Sequence, residues 1–419
     1  MPHFAPPCVR PALAASAAIL LTSLLGCTAP RNLPLRHVSP DIDLAAVLNA
    51  ETAAARAIAV SPRVLAAAHR LDASASRANA AALPPDPMLA VSLGVPVDGL
   101  GGFPVSVSIM EGLTWLLRAD QIKSAAERER TAAAAELTVA SIEVAAEARR
   151  LVRALAATRE HVAARERAAE ARADRLAIEK AAQQIGESNA ARIAAHESLL
   201  AQARLEAEGA RLSEHELATA LASLLSLSRA PAVDGATPAL ARPSPSITLD
   251  VIRARARVTR AESMLATSAG PLGMNASLGP NYSRDIEDRE SLGGTIEFGA
   301  PIFRRSHEIA ALEADLAAER AELAEAERRA ALDLDHATAQ IDAARAALAI
   351  ALEAAHAAGT ARAALARAAT DGEASRAEVA DATAEVEEWT ARATERRIEL
   401  VNTLFKIESR ATPSAGTQE

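Results

Sequence analysis

The stretch LPPDPMLAVSLGVPV, from Leu83 to Val97, decides how the rest of the chain is interpreted. After the prolines its residues alternate, with Leu or Val at one parity and mostly small or polar residues at the other. Side chains on a strand point to opposite faces with period two. The pattern therefore predicts a strand with one apolar face and one small, polar face. The apolar positions are Leu89, Val91, Leu93, Val95 and Val97.

Three further stretches alternate in the same way. Residues 105–115 predict the return strand of a first β-hairpin (87–115), while 274–282 and 295–303 predict a second hairpin (274–303). The helical sequences that follow each hairpin offer few large apolar residues to cover the apolar faces. Lipid is the alternative cover, because a membrane-spanning β-barrel is apolar outside and polar inside. Two exposed hairpins of a soluble protein remain the other interpretation.

Composition narrows the class of protein. The chain has 419 residues and a net charge of −9, with both signs of charge interspersed along the helical stretches. This balance gives no support for nucleic-acid binding. Only 2% of the residues are aromatic and Ala dominates the apolar set, which indicates long helices whose backbones pack closely. Both cysteines lie in the first 27 residues, so the body of the protein has no disulfide framework.

The N-terminus has the layout of a secretory signal. An arginine, an apolar run and small residues follow one another within residues 1–26, which we interpret as a signal peptide. The run ends in Leu24-Leu25-Gly26-Cys27, which resembles the bacterial lipobox and implies that Cys27 is lipidated. An ordinary secretory signal with an incidental cysteine is the alternative. Residues 27–60 are expected to form a lipid-anchored tether, with helix from Asp41 to Ala57.

Long helices follow the first hairpin. Residues 118–184 contain neither Pro nor Gly, which predicts one uninterrupted helix of roughly 100 Å. Gly186 ends it and a return helix follows, giving a helical hairpin over 118–228. A shared seam of small and apolar side chains is the expected stabiliser of such a hairpin. One imperfect seam, interrupted by Glu319, is visible at Ile309, Leu312, Leu316, Leu323, Ala326 and Ala330.

The chain consists of two similar halves. Gly186-Glu187 and Gly372-Glu373 are separated by 186 residues, and so are Met88 and Met274. Equal shifts at separate landmarks indicate a tandem duplication. The predicted organisation is a first repeat (61–230), a linker (231–245), a second repeat (246–410) with its helical hairpin at 306–408, and a disordered tail (411–419).

These features together resemble the outer membrane efflux protein family, the TolC-like channels, from about Asp41 to Arg410. Leu83 to Val97 is similar to the start of the first strand in its heavy-metal efflux branch. The resemblance implies a mainly α fold with a small β part, in which long antiparallel coiled-coil hairpins form a trimeric α-barrel. Two β-hairpins per chain would contribute to one shared 12-stranded transmembrane β-barrel. Glu111 departs from this pattern: it falls on the apolar parity and requires either a bulge or a strand that has already left the lipid.

The resemblance also implies functional residues. In this family the helix-turn-helix tips dock the periplasmic adaptor, and acids beyond the second tip line a periplasmic gate. The gate residues here would be Glu378 and Asp381, whereas Arg192 occupies the first-half position where an acid is often found. A solvated helix face is the alternative for all of these charges. The docking tips would be Gly186, Glu187, Ser188 and Asn189 in the first half and Gly372, Glu373, Ala374, Ser375 and Arg376 in the second.

The function implied by the resemblance is that of a passive exit duct in the cell outer membrane. Homotrimers, lipid-anchored and with helices extending into the periplasm, would export small molecules or metal ions. An inner-membrane pump of the resistance-nodulation-division type would deliver them through the adaptor. We expect no enzyme activity, cofactor or metal site, because the nine histidines are scattered without ligand spacing. A periplasmic coiled-coil adaptor or scaffold lipoprotein, and an envelope lipoprotein enzyme, are the alternatives.

Overall fold

A computed structural model describes residues 47–84, 86–93, 104–112, 114–229, 231–234, 248–268, 275–285, 289–299 and 305–408. The signal peptide, Cys27, most of the linker and the tail lie outside these residues. The helices are α1 (Ala50–Val60), α2 (Pro62–Ala81), α3 (Thr114–Gln184), α4 (Ala190–Leu224), α5 (Leu249–Ser268), α6 (Arg305–Thr370) and α7 (Arg376–Glu408). The strands are β1 (Met88–Leu93), β2 (Val105–Gly112), β3 (Asn275–Arg284) and β4 (Glu290–Gly299).

The first described helix, α1, begins at Ala50 and not at Asp41, where the sequence indicated its start. Asn49 caps α1 by accepting a hydrogen bond from the Thr52 backbone N–H at 2.8 Å, so the helix starts at Ala50. Ser61 then separates α1 from α2, whose first residue is Pro62, as proline prefers. After the first β-hairpin, β2 ends at Gly112 and α3 begins at Thr114. Trp115 is therefore helical and not part of a strand.

Four helices form a row in the order α4, α3, α7, α6. The longest, α3, has 71 residues and at 1.5 Å per residue is about 105 Å long. It lies between α4 and α7 near its C-terminal end and between α2 and α5 near its N-terminal end. Alanines bring the backbones close along the row, and Ala148, Ala164 and Ala391 are fully buried.

The main hydrophobic core lies where α1 packs on α3. Residues of α1, of α3 and of the end of α4 meet there, and Glu51 of α1 forms a bidentate ion pair with Arg149 of α3 at 2.7 and 2.9 Å. The largest side chains of this core are Leu48, Leu151, Leu155, Leu221 and Leu225.

The seam that begins at Ile309 lies against α5. Its members are the more buried positions on this part of α6, and Glu319, which interrupts it, accepts a hydrogen bond from Arg257 of α5 at 2.9 Å. The expectation that this seam stabilises the helical hairpin is wrong. The return helix α7 has only 33 residues and therefore reaches only the half of α6 nearest the turn, where Ile341 packs on Leu400 and Leu404.

The four strands form one antiparallel sheet in the order β1, β2, β3, β4. The pairing of β2 with β3 runs from Val105 opposite Arg284 to Gly112 opposite Ser277 with no inserted residue. The bulge considered for Glu111 is therefore absent from this pairing, and Glu111 keeps its register position on the apolar parity, opposite Leu278. Among the described helices, none combines the length and the apolar character needed to cross a membrane.

Candidate functional site

The two helical hairpins turn with the same backbone geometry. Gly186 and Gly372 both have φ = +81°, a conformation that side chains with a Cβ disfavour. In both turns the N–H of the following glutamate bonds the carbonyl five residues earlier, at 2.9 and 2.8 Å. This pattern is the Schellman motif, which satisfies carbonyls left open at a helix end. Both tips are exposed to solvent.

The return helices start with different caps. Asn189 accepts the backbone N–H of Arg192 at 2.9 Å, and Arg192 makes no ion pair within the described part of the chain. In the second tip Ser375 and Glu378 form a capping box. The Glu378 carboxylate accepts the Ser375 backbone N–H at 2.7 Å and the Ser375 hydroxyl at 2.9 Å. These two hydrogen bonds lower the pKa of Glu378.

A buried charged cluster lies behind the first tip. Arg175 of α3 donates to Glu179 at 2.6 Å and to Asp381 of α7 at 2.8 Å. The Ser188 hydroxyl donates to the other oxygen of Glu179. Only 9% of the Arg175 side chain and 5% of the Glu179 side chain are exposed, whereas Asp381 is half exposed. The cluster thus joins the first tip to the second hairpin, so both tips lie at the same end of the molecule.

The electrostatics of the cluster favour its ionised form. Hydrogen bonds from Ser188 and then from Arg175 lower the pKa of Glu179, and together they outweigh the raising effect of burial. Asp381 was a candidate residue from the sequence, whereas Arg175 and Glu179 were not. Their spacing of four residues on one helix places them on the same face, and this was the available signal.

Further charge pairs continue along the contact between α3 and α7, which we call the α3–α7 seam. Arg165 donates to Glu388 of α7 at 3.2 Å and also to Glu206 of α4 at 2.7 Å. Arg167 donates to Glu387 at 3.0 Å, and Arg397 pairs with Glu160. The seam is therefore closed by arginine–carboxylate pairs along much of its length.

The sheet has two chemically distinct faces. On one face serines lie in register across all four strands, and hydroxyls meet at 2.7 Å in both hairpins, between Ser92 and Ser106 and between Ser283 and Ser291. The opposite face is apolar and exposed, and 82% of Leu292 is accessible to solvent. The other exposed apolar residues of this face are Leu89, Val91, Ile109, Leu278, Tyr282 and Ile296.

No family model and no curated protein matches the sequence. A membrane protein from Pseudomonas aeruginosa matches with a TM-score of 0.70 and 15% identity over 89% of this chain and 93% of that chain. The Neisseria gonorrhoeae MtrE outer membrane channel, in its open state, matches with a TM-score of 0.69 and 14% identity over 86% of this chain and 88% of that one. The Vibrio cholerae outer membrane protein VceC matches with a TM-score of 0.61 and 17% identity over 86% of this chain and 95% of that chain.

The chain has the fold of the outer membrane channels. The resemblance that the sequence indicated is thereby confirmed at the level of the fold, including the mainly helical composition and the small antiparallel sheet. In the described residues of this channel-like fold, no group of three or more His, Cys, Asp or Glu side chains could hold a metal ion.

Proposed function

We propose that this protein is the outer membrane exit duct of a tripartite efflux system. In this proposal a homotrimer passively conducts small molecules or metal ions that an inner-membrane pump, of the resistance-nodulation-division type, delivers through a periplasmic adaptor. The observation that carries the proposal is the two-faced sheet. Its exposed apolar face has the character of a lipid-facing surface, and its serine face that of a water-filled lumen.

Open edges support the trimer. Among the described residues, the sheet ends in β1 and β4 and the helix row ends in α4 and α6, so in this part of the chain both layers have two open edges of different sequence. Such edges match head-to-tail, and a head-to-tail contact closes into a ring when the rotation allows it. Three copies of four strands would make the 12-stranded barrel, while the helices would form the α-barrel below it.

The first test of the proposal is whether the protein forms trimers in the outer membrane. Membranes from cells that produce the full chain should yield heat-resistant trimers in the detergent-extracted outer membrane fraction. A periplasmic adaptor or scaffold, the alternative function, would contain one hairpin beside a lipoyl-like β-domain and no lipid-facing sheet. Recovery of a water-soluble monomer after removal of the lipid would contradict the channel.

The hairpin tips are proposed as the adaptor-docking surface. Exposure of both tips and their common position at one end of the molecule support this role for Gly186 to Asn189 and Gly372 to Arg376. Replacing Gly372 with Val should abolish export but leave trimers in the outer membrane, because the left-handed turn would be lost at the tip alone. Gly359→Val, inside α6 where an added Cβ meets no atom, is the matched control. Normal export by the Gly372 variant would count against docking at this tip.

Glu378 and Asp381 are proposed as gate residues that would form carboxylate rings at the periplasmic mouth of a trimer. Arg175 pairs with Asp381 but is shared with the buried Glu179, whereas no basic side chain pairs with Glu378 among the described residues, so Glu378 is the more exposed of the two gate charges. Glu378→Gln should reduce the preference for K⁺ over Cl⁻ in planar bilayers. Ser375→Ala weakens the same helix cap without changing the charge and should leave this preference unchanged. Equal effects of the two variants would assign Glu378 to capping alone.

Cys27 is the proposed lipid anchor. Its support is the sequence Leu24-Leu25-Gly26-Cys27, since the residue lies outside the described part of the chain.

A further inference from the structure

Two methionines lie directly opposite each other in the first β-hairpin. Met88 of β1 is the register partner of Met110 of β2. Residues directly opposite in an antiparallel pair have Cβ atoms about 4.5–5.5 Å apart, so the two side chains leave the same face within reach of each other. The fold thus brings together two thioethers in a chain that has only five methionines.

The pair belongs to the serine face of the sheet. Side chains alternate along a strand, so Met88 shares its face with Ser92, and Met110 shares its face with Ser106. Met88 is 60% exposed there. A methionine side chain has three rotatable bonds and a polarizable sulfur, so the exposed thioether of Met88 is free to turn toward a bound ion.

Met110, by contrast, is held in place. Only 7% of this residue is exposed, and the Ser277 hydroxyl of β3 donates a hydrogen bond to its Sδ at 3.8 Å. A thioether sulfur has two lone pairs, so this weak bond leaves one of them open. Gly279 lies beside Met110, where an added Cβ would be 2.9 Å from the Met110 Cα. Because Gly279 has no side chain, it leaves space next to Met110.

A buried amide oxygen lies on the same face. Asn281 is the register partner of Ser108, in the next rung of this face after Met110. The Asn281 Oδ1 is buried and has no hydrogen-bond partner among the described residues. Buried polar atoms without a partner are rare, and one explanation is an ion or a water that binds there. An amide oxygen can also complete the coordination of a cation that neighbouring sulfurs hold.

We propose that Met88 and Met110 form a binding site for a soft monovalent cation, Cu⁺ or Ag⁺. Thioethers are soft ligands that select Cu⁺, whereas Mg²⁺, Ca²⁺ and Mn²⁺ prefer carboxylates, carbonyls and water. The two sulfurs are the ligands, and Asn281 Oδ1 is the candidate for a third, weaker one.

The site deepens the proposed function and rests on it for its place in the conduit. Met110 lies two residues before the end of β2 at Gly112, and α3 begins at Thr114, so the pair lies at the helical end of the sheet. In the proposed trimer three such pairs would line the lumen where solutes pass from the helices into the barrel. A conduit needs sites that also release their ions, and two uncharged ligands suit that purpose. Soft monovalent cations are therefore the cargo that this site identifies.

Silver binding tests the site, because Ag⁺ is soft like Cu⁺ and is stable in air. The full-length protein in detergent, with its cysteines blocked by N-ethylmaleimide, is titrated with AgNO₃ in chloride-free buffer by calorimetry. Met88→Leu and Met110→Leu should each lower the Ag⁺ affinity by at least about tenfold, since even the loss of a group that supports a metal ligand costs about 10- to 100-fold. Leu is close to Met in volume, so the sheet should stay intact.

Met264→Leu is the matched control. Met264 lies on α5, outside the sheet, and is 51% exposed. Its replacement should leave the Ag⁺ affinity unchanged, and the histidines and blocked cysteines are the same in all variants. Equal affinities of the parent and of Met110→Leu would overturn the site. An equal loss in Met264→Leu would also overturn it, because any methionine would then contribute.

X-ray absorption at the silver edge requires no variant to fold. Ag⁺ bound to the parent protein should have sulfur neighbours, and these should be lost in Met88→Leu/Met110→Leu. A parent protein whose bound Ag⁺ has only nitrogen and oxygen neighbours would overturn the inference.

The outcomes separate this inference from the proposed function. Trimers that sediment as such but bind Ag⁺ no better than Met88→Leu/Met110→Leu would overturn the site and leave the exit duct standing. A monomer in detergent would overturn the duct and the cargo role of the site. Silver binding that depends on the two methionines would still establish the site in that case, since both ligands belong to one chain.

Discussion

At the scale of single residues, Arg175 connects the two carboxylates of the charged cluster behind the first tip. Its guanidinium holds a buried carboxylate on its own helix and a half-exposed one on α7. Removing one partner of a buried pair leaves the other charge uncompensated, which costs more than the pair itself contributes. We expect Arg175→Met to lower the free energy of unfolding by about 3 kcal/mol.

Lys180→Met is the control for this substitution. Lys180 lies on the same helix and pairs with Glu197, but both side chains are about half exposed. Its loss should cost no more than about 0.5 kcal/mol. Urea unfolding of the two variants in detergent measures the contrast, and equal losses would show that burial does not set the cost.

Glu179 makes the stability of this region depend on pH. Its pKa is lowered in the folded protein, so its ionised form contributes stability that is complete above the ordinary carboxyl pKa and is lost as pH falls through the lowered folded value. Glu179→Gln should therefore be less stable than the parent at pH 7, and should lose less stability on acidification below pH of about 4. Thermal unfolding across this range checks the sign. A variant that kept the acid sensitivity of the parent would assign it to other carboxylates.

At the scale of elements, β3 lies very close to the backbone of β2 at Gly279. A Cβ added to Gly279 would overlap the backbone carbonyl of Ile109 in β2, and Pro280, the next residue, has no N–H to donate. The two strands can approach here only because Gly279 lacks a side chain. Gly279→Ala should therefore prevent pairing of the two hairpins and abolish trimers in the outer membrane fraction.

Gly293 of β4 offers the matched substitution. It lies opposite Asn281 in the same sheet, and an added Cβ would meet nothing within 4 Å. Gly293→Ala should assemble normally in the same fractionation. If neither variant yielded trimers in the outer membrane fraction, glycine flexibility, and not the close approach of β2 and β3, would limit assembly.

For the whole molecule, two separate features would attach the protein to the membrane. The apolar face of the sheet belongs to the described structure, while the lipidation of Cys27 is a prediction from sequence. Cys27→Ser should therefore abolish incorporation of labelled palmitate, yet leave trimers in the outer membrane fraction because the sheet supplies its own lipid-facing surface. Loss of the trimers would show that the anchor is needed for assembly.

Several features of the molecule could be predicted from particular residues. Alternation from Leu89 to Leu93 indicated the two-faced sheet, while its continuation to Val97 lies outside the described residues. The positive-φ turns coincide with the glycines that the 186-residue shift identified. The ion pair of Glu319 could not be predicted, because its partner Arg257 is 62 positions away on another helix. The same holds for Arg175 and Asp381, which are 206 positions apart.

Local chemistry and periodicity in the sequence thus determined the elements and the polarity of each strand face, since these depend on residues a few positions apart. The shift of 186 residues between matching landmarks indicated the two repeats. Only the tertiary structure decided which helices touch: the Ile309 seam lies against α5, and the arginines of α3 face α7. A helix rich in Ala and charged residues can present several usable faces, and packing against distant segments selects among them.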